Sequence, residues 1–109
     1  MKYFKGNVIF KYSEKDIIKV GNILSKLIFD KEEMFYGLDN YLRDEVPFIY
    51  TDNILGFYFG IMQNPEQLDL FSLEINDVLS KGNDQHIIDI TDRLKFVIEQ
   101  FPKFEIIKG

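Results

Sequence analysis

Alternating apolar and polar residues predict strands along much of the chain. In residues 7–12 (NVIFKY), the side chains of Val8, Phe10 and Tyr12 point to one side, which is the period of a strand. Gly6, just before this segment, marks a bend, a bulge or the turn of a hairpin. Strand patterns recur in later segments, at residues 46–51, 54–63, 68–76 and 103–107.

Other segments repeat their apolar residues at helical spacing. Ser13 and Asp16 match a capping box at the start of the first such segment. The second contains the stretch EEMFYGLDNYLRDE, in which Gly37 weakens helical structure by about 1 kcal/mol relative to alanine. Pro102 ends the third segment. The predicted helices are at about residues 13–29, 30–45 and 84–101.

The order of these elements, β-α-α-β-β-β-α-β, predicts an α+β fold with a mainly antiparallel sheet and helices packed on one face. Residues of the strand at 54–63 divide between the two sides of that sheet. Its core side carries Leu55, Phe57, Phe59 and Ile61, and its other side carries Gly56, Tyr58, Gly60 and Met62. We expect the second side, together with Ser72 and Glu74 of the next strand, to remain uncovered.

Chain length and composition favour one domain over residues 1–109. An apolar content of 46%, with eleven Phe and six Tyr, is enough for a single core. The longest apolar runs have only a few residues, against about 20 needed to cross a bilayer, and the amino terminus does not resemble a secretory signal. The sequence contains no cysteine, which excludes disulfides and thiolate chemistry. These features predict a cytoplasmic protein without a membrane partner.

Charge is distributed unevenly along the sequence. Residues 32–92 hold thirteen acidic side chains against Arg43 and Lys81, a balance of −11, whereas the chain as a whole carries −5. An acidic middle repels nucleic acid and anionic membranes and attracts cationic partners. It also has an ordinary interpretation as a solubilising surface.

No catalytic, cofactor or metal motif stands out. The single histidine, His86, precedes Asp89 at a spacing that could align two metal ligands on a helix, but the sequence supplies no third ligand. No serine lies in a nucleophile elbow, and no glycine-rich loop leads into Gly-Lys-Ser or Gly-Lys-Thr. Basic residues are not interleaved with the aromatic strand, which argues against nucleic-acid binding. We therefore expect a protein that is not an enzyme.

Recognition of a basic protein is the function that these features favour. Tyrosine supplies contact area at low entropic cost, and carboxylates accelerate encounter with a positive surface. The alternative is that the tyrosines only cover the edge of the core. The predicted partner-binding residues are Glu32, Tyr36, Asp39, Tyr41, Asp44 and Glu45 on the helix at 30–45, and Tyr58, Met62 and Glu74 on the uncovered side of the sheet.

Small size, acidity, the lack of cysteine and of a catalytic set, and the α+β pattern together resemble the immunity proteins of bacterial toxin systems, including contact-dependent ones. Fifteen isoleucines and no alanine suggest an AT-rich coding sequence, in keeping with a bacterial, phage or mobile-element origin. The resemblance implies stoichiometric occlusion of a cognate toxin, often a cationic nuclease. It carries over no site residue.

Other functions remain open at this point. An acidic phage-type inhibitor could mimic DNA and block a nucleic-acid-binding defence protein. A small regulatory module could form a homodimer through the side of the sheet that carries Tyr58 and Met62. An enzyme centred on His86 is the remaining alternative.

Overall fold

The computed structural model describes residues 3–37, 42–43, 46–54, 56–77 and 87–107. Within these ranges lie two helices and seven strands, which confirm the predicted α+β class. In chain order the elements are β1 (Tyr3–Lys11), α1 (Ile17–Phe29), β2 (Leu42–Arg43), β3 (Val46–Tyr50), β4 (Phe57–Gln63), β5 (Leu70–Asp77), β6 (Ile87–Asp89), α2 (Thr91–Glu99) and β7 (Glu105–Ile106).

The strands form one mainly antiparallel sheet in the order β2-β3-β4-β5-β1-β6, and β7 pairs with the other end of β1. β3, β4 and β5 make the predicted antiparallel meander. Only the β1–β6 pair is parallel among the described strands. β1 runs through Gly6, which pairs with Ile75, so this glycine is not the turn of a hairpin.

Both helices pack on the same face of the sheet, as predicted. A row of apolar residues crosses four strands on that face, in register and at most 2% exposed: Val8, Leu73, Ile61 and Ile49. α1 lies so close to this row that a Cβ atom added at Gly21 would be 2.7 Å from Cδ1 of Ile49. Buried side chains of α2, Leu94 and Ile98, belong to the same core. Phe59, Phe71 and Ile75 are also buried there.

α1 begins later than the sequence predicts. Its N-cap is Asp16, whose carboxylate accepts hydrogen bonds from the backbone N–H groups of Ile18 (3.0 Å) and Lys19 (3.3 Å). The helix therefore starts at Ile17, and the prediction of Ser13 as its cap is wrong.

Where α1 ends, no second helix begins. Asp30 (φ 54°) and Glu33 (φ 55°) adopt left-handed backbone conformations, which a right-handed helix cannot contain. The N–H of Asp30 instead closes α1 by donating to the carbonyl oxygen of Lys26 at 3.0 Å. The helix predicted over residues 30–45 is thus wrong in the described residues 31–37 and 42–43.

Pairing with β3 explains this difference. The backbone N–H of Tyr36 donates to the carbonyl oxygen of Tyr50 at 3.0 Å, and the N–H of Tyr50 donates back at 2.9 Å. β2 pairs with β3 further along, where Leu42 lies opposite Pro47. Hydrogen bonds to a distant strand therefore replace the local helical ones that the apolar spacing predicts. Residues 38–41 and 44–45 lie outside the described part of the chain.

The helix predicted over residues 84–101 is shorter than expected. Residues 87–89 form β6, which pairs with the first residues of β1. α2 begins only at Thr91, whose backbone N–H donates to the carboxylate of Asp89 at 2.9 Å. Its end at Glu99, ahead of Pro102, agrees with the sequence.

Neither α1 nor α2 is long and apolar enough to span a membrane.

Candidate functional site

The face of the sheet opposite the helices is the candidate binding surface, and we call it the open face. Its side chains alternate with those of the core along each strand. Register places Phe48, Met62, Ser72 and Ile9 in one row across β3, β4, β5 and β1. Tyr50, Gly60, Glu74 and Asn7 make the next row, and Tyr58 lies opposite Asn76 beyond it.

Three predicted partner-binding residues lie on the open face. Tyr58, Met62 and Glu74 are all half-buried there, on strands whose alternate residues enter the core. The strand facing predicted from the sequence is therefore right for the described residues of β4 and β5, whereas Leu55 lies outside the described residues. Whether these residues contact a partner stays a prediction.

Tyr36 also lies on the open face, through a backbone pairing that the sequence pattern did not predict. Its backbone bridge to Tyr50 adds one residue beyond the edge of β3. The two rings are 5.1 Å apart between centroids, and Tyr36 remains 45% exposed. The backbone pairing therefore brings Tyr36 into the aromatic surface of the sheet instead of onto a separate helix.

A concave region of about 330 Å³ lies at this end of the open face, and we call it the aromatic pocket. Tyr50 is at its centre, because its ring stacks on Phe48 at 5.8 Å and meets Tyr58 edge-on at 6.3 Å. The lining residues are Tyr36, Phe48, Tyr50, Thr51, Asp52, Asn53 and Tyr58.

The loop after β3 fixes the acidic side of the aromatic pocket. The buried Thr51 hydroxyl accepts a hydrogen bond from the N–H of Phe59 (3.1 Å) and donates to the carbonyl oxygen of Asp52 (3.0 Å). The side chain of Asn53 accepts from the N–H of Gly56 at 2.9 Å. Asp52 is exposed, and its carboxylate accepts a hydrogen bond from the Tyr36 hydroxyl. The pocket thus combines aromatic walls with one positioned carboxylate.

This hydrogen bond to Asp52, reinforced by desolvation and by the negative charge of Asp52, raises the pKa of Tyr36 above its ordinary value. A raised pKa means that folding stabilises the protonated phenol. The resulting stabilisation is present below the unfolded pKa, about 10, and is lost as the pH rises through the folded value.

We expect Tyr36 to titrate above the ordinary tyrosine range, and the Asp52→Asn variant to lower its midpoint. NMR titration of the tyrosine ring carbons, with Tyr36→Phe to assign the signal, measures both midpoints. A Tyr36 midpoint that does not change in Asp52→Asn would contradict the role of this carboxylate.

Beside the aromatic pocket the open face continues as an apolar groove of about 410 Å³. Its apolar lining includes Ile9, Val46, Met62 and Leu70, and Ile9 is 45% exposed. The turn at its rim is held by Asn64, whose side chain accepts from the N–H of Glu66 at 2.8 Å. The open face therefore offers an aromatic, acidic end and an apolar end.

Glu32, another predicted partner-binding residue, does not lie on the open face. Glu32 follows α1 and lies 3.3 Å from Nζ of Lys26, with both side chains exposed, beside a concavity lined by residues of α1. The other four predicted residues, Asp39, Tyr41, Asp44 and Glu45, lie outside the described residues. Their predicted role is therefore untested.

Sequence reasoning missed Phe48, Tyr50 and Asp52. Phe48, which is itself buried, and Tyr50 lie on either side of the core residue Ile49 along β3, so the period-two pattern of VPFIYT could have placed both on the open face. Asp52 carries no such signal, because its contact with Tyr36 depends on pairing between segments far apart in sequence.

The described residues contain no cluster of three or more His, Cys, Asp or Glu side chains that could hold a metal ion. His86 lies outside them, so the prediction that it has no metal-binding role stays a prediction.

No protein-family model, curated protein or solved structure matches the chain. Function is therefore inferred from the chemistry of the open face.

Proposed function

We propose that the protein is a stoichiometric inhibitor that binds a basic protein through the open face, as an immunity protein occludes a bacterial toxin. The observation that carries this proposal is the aromatic pocket with Asp52 at its edge, adjoining an apolar groove on the same open face. Tyrosine and methionine are enriched at protein interfaces, and tyrosines often dominate the binding energy. Tyr36, Tyr58 and Met62 supply such groups here.

Electrostatics supports a basic partner. Lys5 and Lys11 lie on the open-face side of β1, but the chain carries a net charge of −5, and Asp52 places a carboxylate at the edge of the aromatic pocket. Such charges accelerate encounter with a cationic surface, whereas packing of the aromatic side chains governs dissociation. A cationic, nuclease-like toxin in the bacterial cytoplasm fits this chemistry. The inhibitor itself needs no catalytic group, since occlusion alone blocks the substrate.

An inhibition titration tests this function. The purified chain is added to the basic protein encoded by an adjacent gene, and the activity of that protein is measured. We expect inhibition to be complete at one molar equivalent, with association slowing as salt screens the charges. Inactivation of many equivalents by one chain would indicate an enzyme, and no inhibition of any neighbouring basic protein would contradict the proposal.

Matched aromatic variants locate the interface in the same assay. Tyr58→Ala removes a ring from the open face, whereas Phe96→Ala removes an exposed ring from α2 on the helical side. We expect Tyr58→Ala to weaken inhibition about tenfold or more and Phe96→Ala to leave it unchanged.

A regulatory homodimer is the second candidate, because the apolar groove, which includes the exposed Ile9, could pack against the same groove of a second copy of the chain. Light scattering distinguishes the two functions, since the inhibitor is expected to be monomeric in the absence of its partner.

A DNA mimic is less well supported. Lys5 and Lys11 lie on the open-face side of β1, so positive charges are mixed with the acidic side chains of the open face. A mimic of DNA instead needs carboxylates in rows that resemble the phosphates.

A further inference from the structure

We propose that the aromatic pocket receives one arginine side chain of the basic partner. This inference rests on the proposed function and adds the chemistry of its central contact. The occupant is a guanidinium group lying in the concavity lined by Tyr36, Tyr50 and Tyr58, with Asp52 accepting its N–H groups.

The walls of the aromatic pocket suit a cation. A cation over an aromatic ring is attracted by the ring quadrupole when it lies within about 6 Å of the centroid. Tyr50 lies between Tyr36 at 5.1 Å and Tyr58 at 6.3 Å, and the planes are inclined at 56° and 72°. The three rings therefore contact one another in a row and form one wall of the aromatic pocket, and a flat group lying over this wall can contact more than one ring.

Asp52 determines the charge of the occupant. Its carboxylate already accepts the Tyr36 hydroxyl, and a carboxylate has about four lone-pair sites, so it can accept further hydrogen bonds. An apolar side chain filling the aromatic pocket would remove solvent from this charge without replacing it, which costs free energy. A cationic donor supplies that replacement.

Guanidinium fits this combination better than ammonium. Its planar group stacks on aromatic faces and presents five N–H donors in a fixed fork, whereas lysine carries a compact, strongly hydrated charge. A space of about 330 Å³ is at the small end of ligand-binding sites, which suits one side chain and not a folded segment.

A blocked amino acid tests the inference without the partner. Nα-acetyl-arginine N-methylamide is titrated into the isotopically labelled chain at low salt, and NMR shifts are recorded. The same titration uses the neutral citrulline analogue and the lysine analogue. We expect saturable shifts at the rings of Tyr36, Tyr50 and Tyr58, with citrulline about tenfold weaker and lysine also weaker than arginine.

Two variants with the same change of charge separate a specific contact from general attraction. Asp52→Asn removes the carboxylate of the aromatic pocket, and Glu99→Gln removes an exposed carboxylate at the end of α2. We expect the first to weaken arginine binding about tenfold and the second to leave it unchanged. Both positions are exposed, so both variants are expected to fold, and the amide spectrum verifies this.

Equal binding of arginine and citrulline, arginine shifts away from the aromatic pocket, or equal losses in both variants would overturn the inference. Binding of lysine as tight as arginine would overturn the choice of guanidinium. Failure of this test is distinguishable from failure of the proposed function. An inhibitor can neutralise its partner while the pocket ignores arginine, and the pocket can bind arginine in a chain that inhibits nothing.

Discussion

Replacement of Phe71 by alanine is expected to lower the free energy of unfolding by about 3 to 5 kcal/mol. Phe71 is only 1% exposed, and its ring lies 5.9 Å from the ring of Phe10, the residue opposite it on β1. Phe10 in turn packs on Phe104 at 4.8 Å, so truncation leaves a cavity inside an aromatic cluster. The loss is a large share of the 5 to 15 kcal/mol typical of a whole domain.

Tyr58→Ala is the matched control, because it removes a ring of similar size from the open face. Urea denaturation followed by circular dichroism gives the free energy of unfolding for both variants. We expect the loss in Tyr58→Ala to be clearly smaller, since this side chain is only half-buried and lies on the open face. A greater loss in Tyr58→Ala than in Phe71→Ala would mean that the two faces of the sheet are assigned the wrong way round.

Gly37→Ala is expected to destabilise the protein by about 3 kcal/mol. The backbone of Gly37 has φ 107°, a conformation that side-chain-bearing residues rarely adopt. A Cβ atom there would also lie 2.5 Å from Cε1 of Tyr50. The substitution therefore strains the chain and displaces the ring at the centre of the aromatic pocket.

The two contributions can be separated by a double-mutant cycle. In a Tyr50→Leu background the ring contact is absent, so Gly37→Ala should cost less, with only the backbone strain remaining. Urea denaturation measures stability, and near-ultraviolet circular dichroism reports the tyrosine environment. An equal cost of Gly37→Ala in both backgrounds would show that the ring contact contributes nothing.

Period-two alternation was the most informative feature of the sequence. It placed Phe59 and Phe71 in the core and Tyr58 and Met62 on the open face, because each side chain's facing depends only on its neighbours along the strand. Apolar spacing likewise predicted the end of α1 at Phe29. These are local properties, which a single sequence contains.

The segment after α1 shows where local reasoning fails. Its apolar spacing favours a helix, but left-handed Asp30 and Glu33 and the bridge from Tyr36 to Tyr50 stabilise an extended path. The competing hydrogen bonds come from β3, and nothing in the local pattern reports their presence. The parallel pairing of β6 with β1 is a second case of the same kind.

The candidate site was predictable only in part for the same reason. Tyr58, Met62 and Glu74 followed from strand facing. The contact between Tyr36 and Asp52 requires the loop after β3 to meet a segment sixteen residues earlier, and Thr51 to hold that loop. Recognition of the aromatic pocket therefore needed the three-dimensional fold.

Cross-saturation NMR of the complex tests the central claim, that the open face binds the basic partner. Ile9 and Ile18 are matched reporters, since their exposed fractions are 45% and 44% while Ile9 lies on the open face and Ile18 on α1. With methyl-labelled chain and unlabelled partner, irradiation of the partner is predicted to attenuate the Ile9 methyl signal and spare Ile18. Attenuation of Ile18 with Ile9 unaffected would place the interface on the helices and contradict the open face as the binding surface.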